Sequence, residues 1–219
     1  MKKALLAILI IVILIIVIVI LILPKVINKK NSFEKKYMET NLENKKIAMI
    51  IAFRDFRDEE YFIPKLVFQN NGATIRTAST EIGEAVGSQG GTIQIDISLN
   101  NLRVSDFDAI VFIGGQGAPK YLDNETSYQI AKNAVSENRI LAAICISPTI
   151  LAKAGVLSGK KATVWSSVLD KSAVKILREN GAIYEDSAVV VDGNIITANG
   201  PAAAEEFGEK VSQLLTSSQ

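Results

Sequence analysis

The sequence predicts an α/β fold with a mostly parallel sheet covered by helices on both faces. Three observations carry this. Residues 47–51, 109–113 and 140–144 are short, uninterrupted apolar runs, the pattern of strands buried on both faces. Helical patterns with N- and C-terminal stop signals separate them. The chain then closes on a hairpin and a helix, so strands and helices alternate throughout.

Taken in order, Ala4 to Leu23 is an unbroken run of twenty apolar residues followed by Leu23-Pro24-Lys25-Val26, with no small-residue cleavage site. As a helix this would be about 30 Å long, the thickness of a bilayer's hydrocarbon core. We therefore expect one N-terminal transmembrane helix at 4–23 and a lysine-rich polar tether at 24–45, able to lie against anionic headgroups. The folded domain is expected at 46–219. More lysines follow the apolar run than precede it, which orients the domain toward the cytoplasm in a single-pass membrane protein.

Within the domain, residues 53–57 read as a loop and Asp58-Glu59-Glu60 as the first turn of a helix that stops at Asn70-Asn71-Gly72. Strands are expected at 74–78, 92–96 and 162–165, with a glycine-rich stretch at 83–91. Helices are expected at 126–137 and 171–180. Residues 189–197 form a hairpin around Asp192-Gly193, and a closing helix begins at Pro201.

Composition excludes several functions. A net charge of +1 and the lack of a basic patch give no reason to expect nucleic acid as a partner. One cysteine rules out an intramolecular disulfide. The chain has no histidine, which removes the commonest metal ligand and every Cys-His or Ser-His dyad. We expect no metal and no cofactor.

The single cysteine, Cys145, ends the apolar run 140–144, and Ser147-Pro148 then opens a helical pattern. Serine suits an N-cap and proline the first helical position. Cys145 thus sits on a strand-to-helix turn, and the helix dipole would stabilise its thiolate and lower its pKa. A buried cysteine acting as a small hydrophobe is the other reading.

Four segments then resemble the DJ-1/PfpI (ThiJ/PfpI) superfamily: Ala142-Ala143-Ile144-Cys145, Ile113-Gly114-Gly115, Glu60 four residues before Pro64, and Thr197-Ala198-Asn199-Gly200-Pro201. The resemblance spans about 46–215. It implies a flavodoxin-like three-layer sandwich, with Cys145 strained at a nucleophile elbow and Glu60 hydrogen-bonded to its sulfur. A carboxylic acid kept partly protonated by burial could play that part, although a helix first turn favours an acid in any case. Gly114 and Gly115 either make a tight turn or, with Ile146, supply backbone N–H groups to an oxyanion. Trp165 and Asn199 are candidate pocket residues, Trp165 with core as its alternative.

The departures are two histidines. Peptidase-like members carry one directly after the cysteine, where this chain has Ile146, and others carry one near the position of Trp165. The resemblance therefore implies glyoxalase- or deglycase-like action on small reactive carbonyl substrates, with Cys145 and Glu60 catalytic. The alternatives are a redox sensor or chaperone using Cys145 oxidation, and a peptidase, which the missing histidines oppose. A homodimer or larger homo-oligomer is also implied.

Overall fold

The computed structural model describes residues 40–217. Its centre is a seven-stranded sheet. The strands are β1 (Lys46–Ile50), β3 (Thr74–Ser79), β6 (Ile97–Ser98), β7 (Ala109–Phe112), β8 (Ile140–Ile144), β11 (Val189–Asp192) and β12 (Ile195–Ala198). They lie in the order β11-β12-β8-β7-β1-β3-β6. Every pairing is parallel except the β11–β12 hairpin.

Both faces of the sheet are covered, which is why its strands are apolar without alternation. Along β1, Ala48 and Ile50 join the core beneath α3 (Glu125–Ser136), α4 (Pro148–Lys153) and α5 (Ser172–Glu179). Ile47 and Met49 are equally buried on the opposite face. That face carries α1 (Asp58–Asn70) and α6 (Ala204–Ser217), which pack closely on one another. Gly208 makes this approach possible, since a Cβ there would stand 3.1 Å from Pro64 Cα. A short helix, α2 (Ala118–Tyr121), follows β7.

The chain leaves β1 toward β3 on one side, and β7 later joins β1 on the other. Loops after β1 and β7 therefore diverge, and a crevice opens at the carboxyl ends of these strands. Beside it lies a small sheet of β2 (Arg54–Phe56), β4 (Glu84–Gly87) and β5 (Thr92–Gln94). The expected loop at 53–57 thus contains a strand, and so does the glycine-rich stretch. The strand expected at 162–165 is shorter: β9 (Lys161–Ala162) pairs with β10 (Ile183–Tyr184), outside the main sheet.

The expectation of a single-pass membrane protein facing the cytoplasm is corrected. Among the described residues no helix is long and apolar enough to cross a membrane. The longest, α6, has 14 residues, about 21 Å at 1.5 Å per residue, and buries one face against α1 and the sheet. Residues 4–23, which carried that expectation, lie outside the described residues. Leu42, in the stretch expected as tether, is buried, and its N–H donates to the Asn71 carbonyl at 2.7 Å.

Candidate active site

Cys145 follows β8 directly and takes φ = +64°, a conformation that L-residues rarely adopt. Both of its backbone polar groups are held. Its N–H donates to the Ala198 carbonyl at the end of β12, and its carbonyl accepts from Trp165 N–H, each at 2.8 Å. Two flanking segments thus fix the strained elbow, the condition under which such strain persists. Ser147 serves this geometry in a way its position does not suggest. It is in helical conformation and makes no side-chain cap on α4. Its buried hydroxyl donates instead to the Ile113 carbonyl at 2.8 Å, tying the elbow to the loop after β7.

Glu60 arrives from α1 and is fully buried. Pro64 has no N–H to return to the Glu60 carbonyl, so the helical ladder is interrupted at this residue. The acidic first turn is divided by task. Asp58 accepts from the backbone N–H groups of Gln89 (2.8 Å) and Gly91 (2.7 Å), clamping the glycine-rich loop that carries Ser88. Glu59 pairs with Arg57, Oε2 to Nε at 2.9 Å. Only Glu60 turns to the cysteine.

Gly114 stands between the two groups. A Cβ there would lie 2.6 Å from Cys145 Cβ and 2.7 Å from Glu60 Oε2, so any side chain would force them apart. At Gly115, with φ = +104°, a Cβ would fall 2.4 Å from the Arg57 nitrogen, against backbone that cannot yield. These two glycines answer to different partners. The Gly114 N–H acts on the Glu60 carboxyl, whereas the N–H groups of Gly115 and Ile146 act on the Cys145 sulfur.

Burial raises both ionisations. For Glu60 it outweighs the thiol of Cys145, the Arg57 charge and the Gly114 N–H, and the carboxyl is pushed up to about 7. Neither carboxyl oxygen completes a hydrogen bond of normal geometry, in keeping with a charge poorly compensated where it sits. For Cys145, burial and the nearby Glu60 charge overcome the N–H groups of Gly115 and Ile146, and the thiol is pushed up to about 12. The expected acidic thiol is thereby corrected. The elbow dipoles act in the foreseen direction, and desolvation with a neighbouring carboxylate exceeds them. The two groups titrate as a pair. The first proton leaves Glu60 near 7, and the resulting carboxylate helps to keep the thiol protonated until near 12.

The pair forms the floor of a cavity of about 410 Å³. One wall is polar, made by Arg57, Ser88 and Gln116. These converge because Ser88 N–H bonds the Phe56 carbonyl and Gly115 packs on the Arg57 backbone. Ile146, Trp165 and Pro201 make an apolar wall, with Pro119 also at the cavity. Trp165 thus lines the pocket. Asn199 does not; its N–H donates to the Ala188 carbonyl, and Pro201 takes the lining position beyond Gly200. Sequence reasoning missed Arg57, Ser88, Gln116, Pro119 and Pro201. Arg57, three residues before Glu60 in the same loop-to-helix segment, was the one with a positional signal. Among the described residues no group of three His, Cys, Asp or Glu side chains could hold a metal ion.

Comparison with known proteins agrees with this construction. An uncharacterized protein of Methanocaldococcus jannaschii is 44% identical over 83% of this chain and 86% of its own length. A protein named as a deglycase in Pyrococcus horikoshii is 31% identical over 71% of this chain and 90% of its own. The crystal structure of a ThiJ/PfpI domain protein from Brachyspira murdochii superposes with a TM-score of 0.75 at 33% identity, covering 78% of this chain and 96% of that one. Residues 45–214 match the DJ-1/PfpI family as a whole, and with the elbow, the buried carboxyl and the parallel sheet in place, the chain belongs to that family.

Proposed function

We propose that the domain acts on reactive 2-oxoaldehydes in a glyoxalase- or deglycase-like manner, with Cys145 as nucleophile and Glu60 as proton carrier. The observation that supports this best is the buried Glu60 carboxyl beside the Cys145 thiol, both lining one cavity. A thiol beside a carboxylate can attack without histidine. The sulfur bonds to the aldehyde carbon, the carbonyl π pair moves to oxygen, and the thiol proton passes to Glu60. Glu60 returns that proton to the oxyanion, giving a hemithioacetal. It then takes the proton from the former aldehyde carbon and delivers it to the adjacent carbon through an enediol. One carbon is oxidised and its neighbour reduced, so no external oxidant is needed. The resulting thioester is hydrolysed by water, which releases a 2-hydroxy acid and regenerates the thiol.

The name of the Pyrococcus horikoshii relative adds support. The sensor reading requires an acidic thiol, which burial and the Glu60 charge oppose. A peptidase of the Cys-His kind lacks its base. The test is methylglyoxal consumption by the purified protein against Cys145→Ser. Serine without a strong base is a poor nucleophile at neutral pH, so the variant should fall to the rate of buffer. Equal consumption by both proteins would overturn the proposal.

A further inference from the structure

The polar wall of the cavity holds a cation whose geometry leaves it available to a ligand. Arg57 presents its Nε and Nη2 edge to Glu59, at 2.9 Å to Oε2 and 3.3 Å to Oε1. Glu59 is held in turn by the Gln89 side-chain amide at 2.7 Å. This brace fixes the guanidinium while leaving Nη1 without a hydrogen-bond partner among the described residues. Arg57 lines the same cavity as Cys145, together with the polar Ser88 and Gln116. A planar guanidinium held in place is suited to a carboxylate or phosphate, which it can meet with directed N–H donors. Among the described residues lining the cavity, Glu60 is the only acidic side chain.

We propose that Arg57 is a specificity-determining residue that selects carbonyl compounds bearing an anionic group beyond the reacting aldehyde. This rests on the aldehyde reading above and names its substrate class: 2-oxoaldehydes ending in a carboxylate or phosphate, in preference to uncharged ones of similar size. The aldehyde carbon meets Cys145 while the anionic end meets Nη1 of Arg57, with Ser88 and Gln116 available to its remaining lone pairs.

Two measurements on the full chain separate this proposal from the reading beneath it. The first needs no turnover. Iodoacetate and iodoacetamide both alkylate a thiolate, forming an S–C bond and expelling iodide, but only iodoacetate is anionic. The ratio of their rates at Cys145 should fall about tenfold in Arg57→Gln, as expected for loss of a charge-assisted contact worth roughly 1.4 kcal/mol. Arg57→Lys should keep part of the preference, and added salt should shrink it in wild type. Taking a ratio cancels any change in the thiol itself. The second compares 4,5-dioxopentanoate with methylglyoxal, where kcat/KM should favour the carboxylate in wild type and lose that preference in Arg57→Gln. An iodoacetate-to-iodoacetamide ratio identical in wild type and Arg57→Gln would overturn the proposal. A ratio that falls while neither aldehyde is consumed above the Cys145→Ser background would overturn the aldehyde reading and leave Arg57 as the anion-binding residue of the cavity.

Discussion

Glu60→Asp and Glu60→Gln should each lower kcat for 2-oxoaldehydes by roughly 10²–10⁴-fold, the usual contribution of a positioned proton carrier. The reasons differ. Glutamine keeps the shape but can neither accept nor deliver the proton that must cross between adjacent carbons. Aspartate keeps the chemistry but withdraws the carboxyl by one C–C bond, about 1.5 Å, which breaks hydrogen-bond reach to the reacting atoms. Gly114 shows how closely the carboxyl is placed, since a Cβ there would lie 2.7 Å from Glu60 Oε2. KM should move less than kcat, because Glu60 meets substrate most strongly in proton transfer. Steady-state kinetics of both variants checks this, and an Asp variant with wild-type kcat would remove Glu60 from the mechanism.

The same residue should be a burden on stability, and Glu60→Gln should relieve it. The carboxyl titrates at 4.5 when unperturbed and near 7 in the fold. Below the lower value both states are protonated and nothing is lost. Between the two values the unfolded chain releases a proton that the folded chain keeps, so stability falls as pH rises, and the loss is complete above 7. At 1.36 kcal/mol per pH unit, the cost amounts to roughly 3 kcal/mol. Glutamine carries no charge at any pH. The variant should therefore match wild type near pH 4 and exceed it by that order near pH 8, a rise in Tm of roughly 6–12 °C for a domain of this size. Urea unfolding at the two pH values measures it. Parallel stability profiles would show that the carboxyl is solvated rather than buried. A residue that destabilises its own fold and sits on a nucleophile is retained for chemistry.

How far the sequence could be read depended on which physical signal each element leaves. The strands β1, β7 and β8 are buried on both faces, so unbroken apolar runs betray them. The Asp192-Gly193 hairpin shows itself by its turn residues. The small side sheet left no comparable mark: Arg54–Phe56 has two exposed residues of three, and Glu84–Gly87 lies within a glycine-rich stretch. Both are ordered by tertiary contact, Asp58 clamping the loop after β4. At the site, the elbow and its glycines were legible because a strand, a cysteine and a helix start adjoin in the chain. The acidity of the thiol was not. The dipole favouring thiolate is local, whereas the carboxylate and the desolvation opposing it come from α1 and from folding itself. Ser147 teaches the same point, since a residue apt for an N-cap spends its hydroxyl on the Ile113 carbonyl instead.

The central claim is that Glu60 and Cys145 titrate as a coupled pair, and the pH dependence of Cys145 alkylation by iodoacetamide tests it most directly. If the groups are coupled, the first proton lost leaves a carboxylate that opposes thiolate, so thiolate accumulates only with the second. The wild-type rate should then stay low through the Glu60 ionisation near 7 and climb only toward the thiol ionisation near 12. Glu60→Gln removes the charge that raises the thiol and leaves its burial, so the rise should move to lower pH than in wild type. Identical profiles in wild type and Glu60→Gln, each following an ordinary thiol near 8.5, would contradict the account.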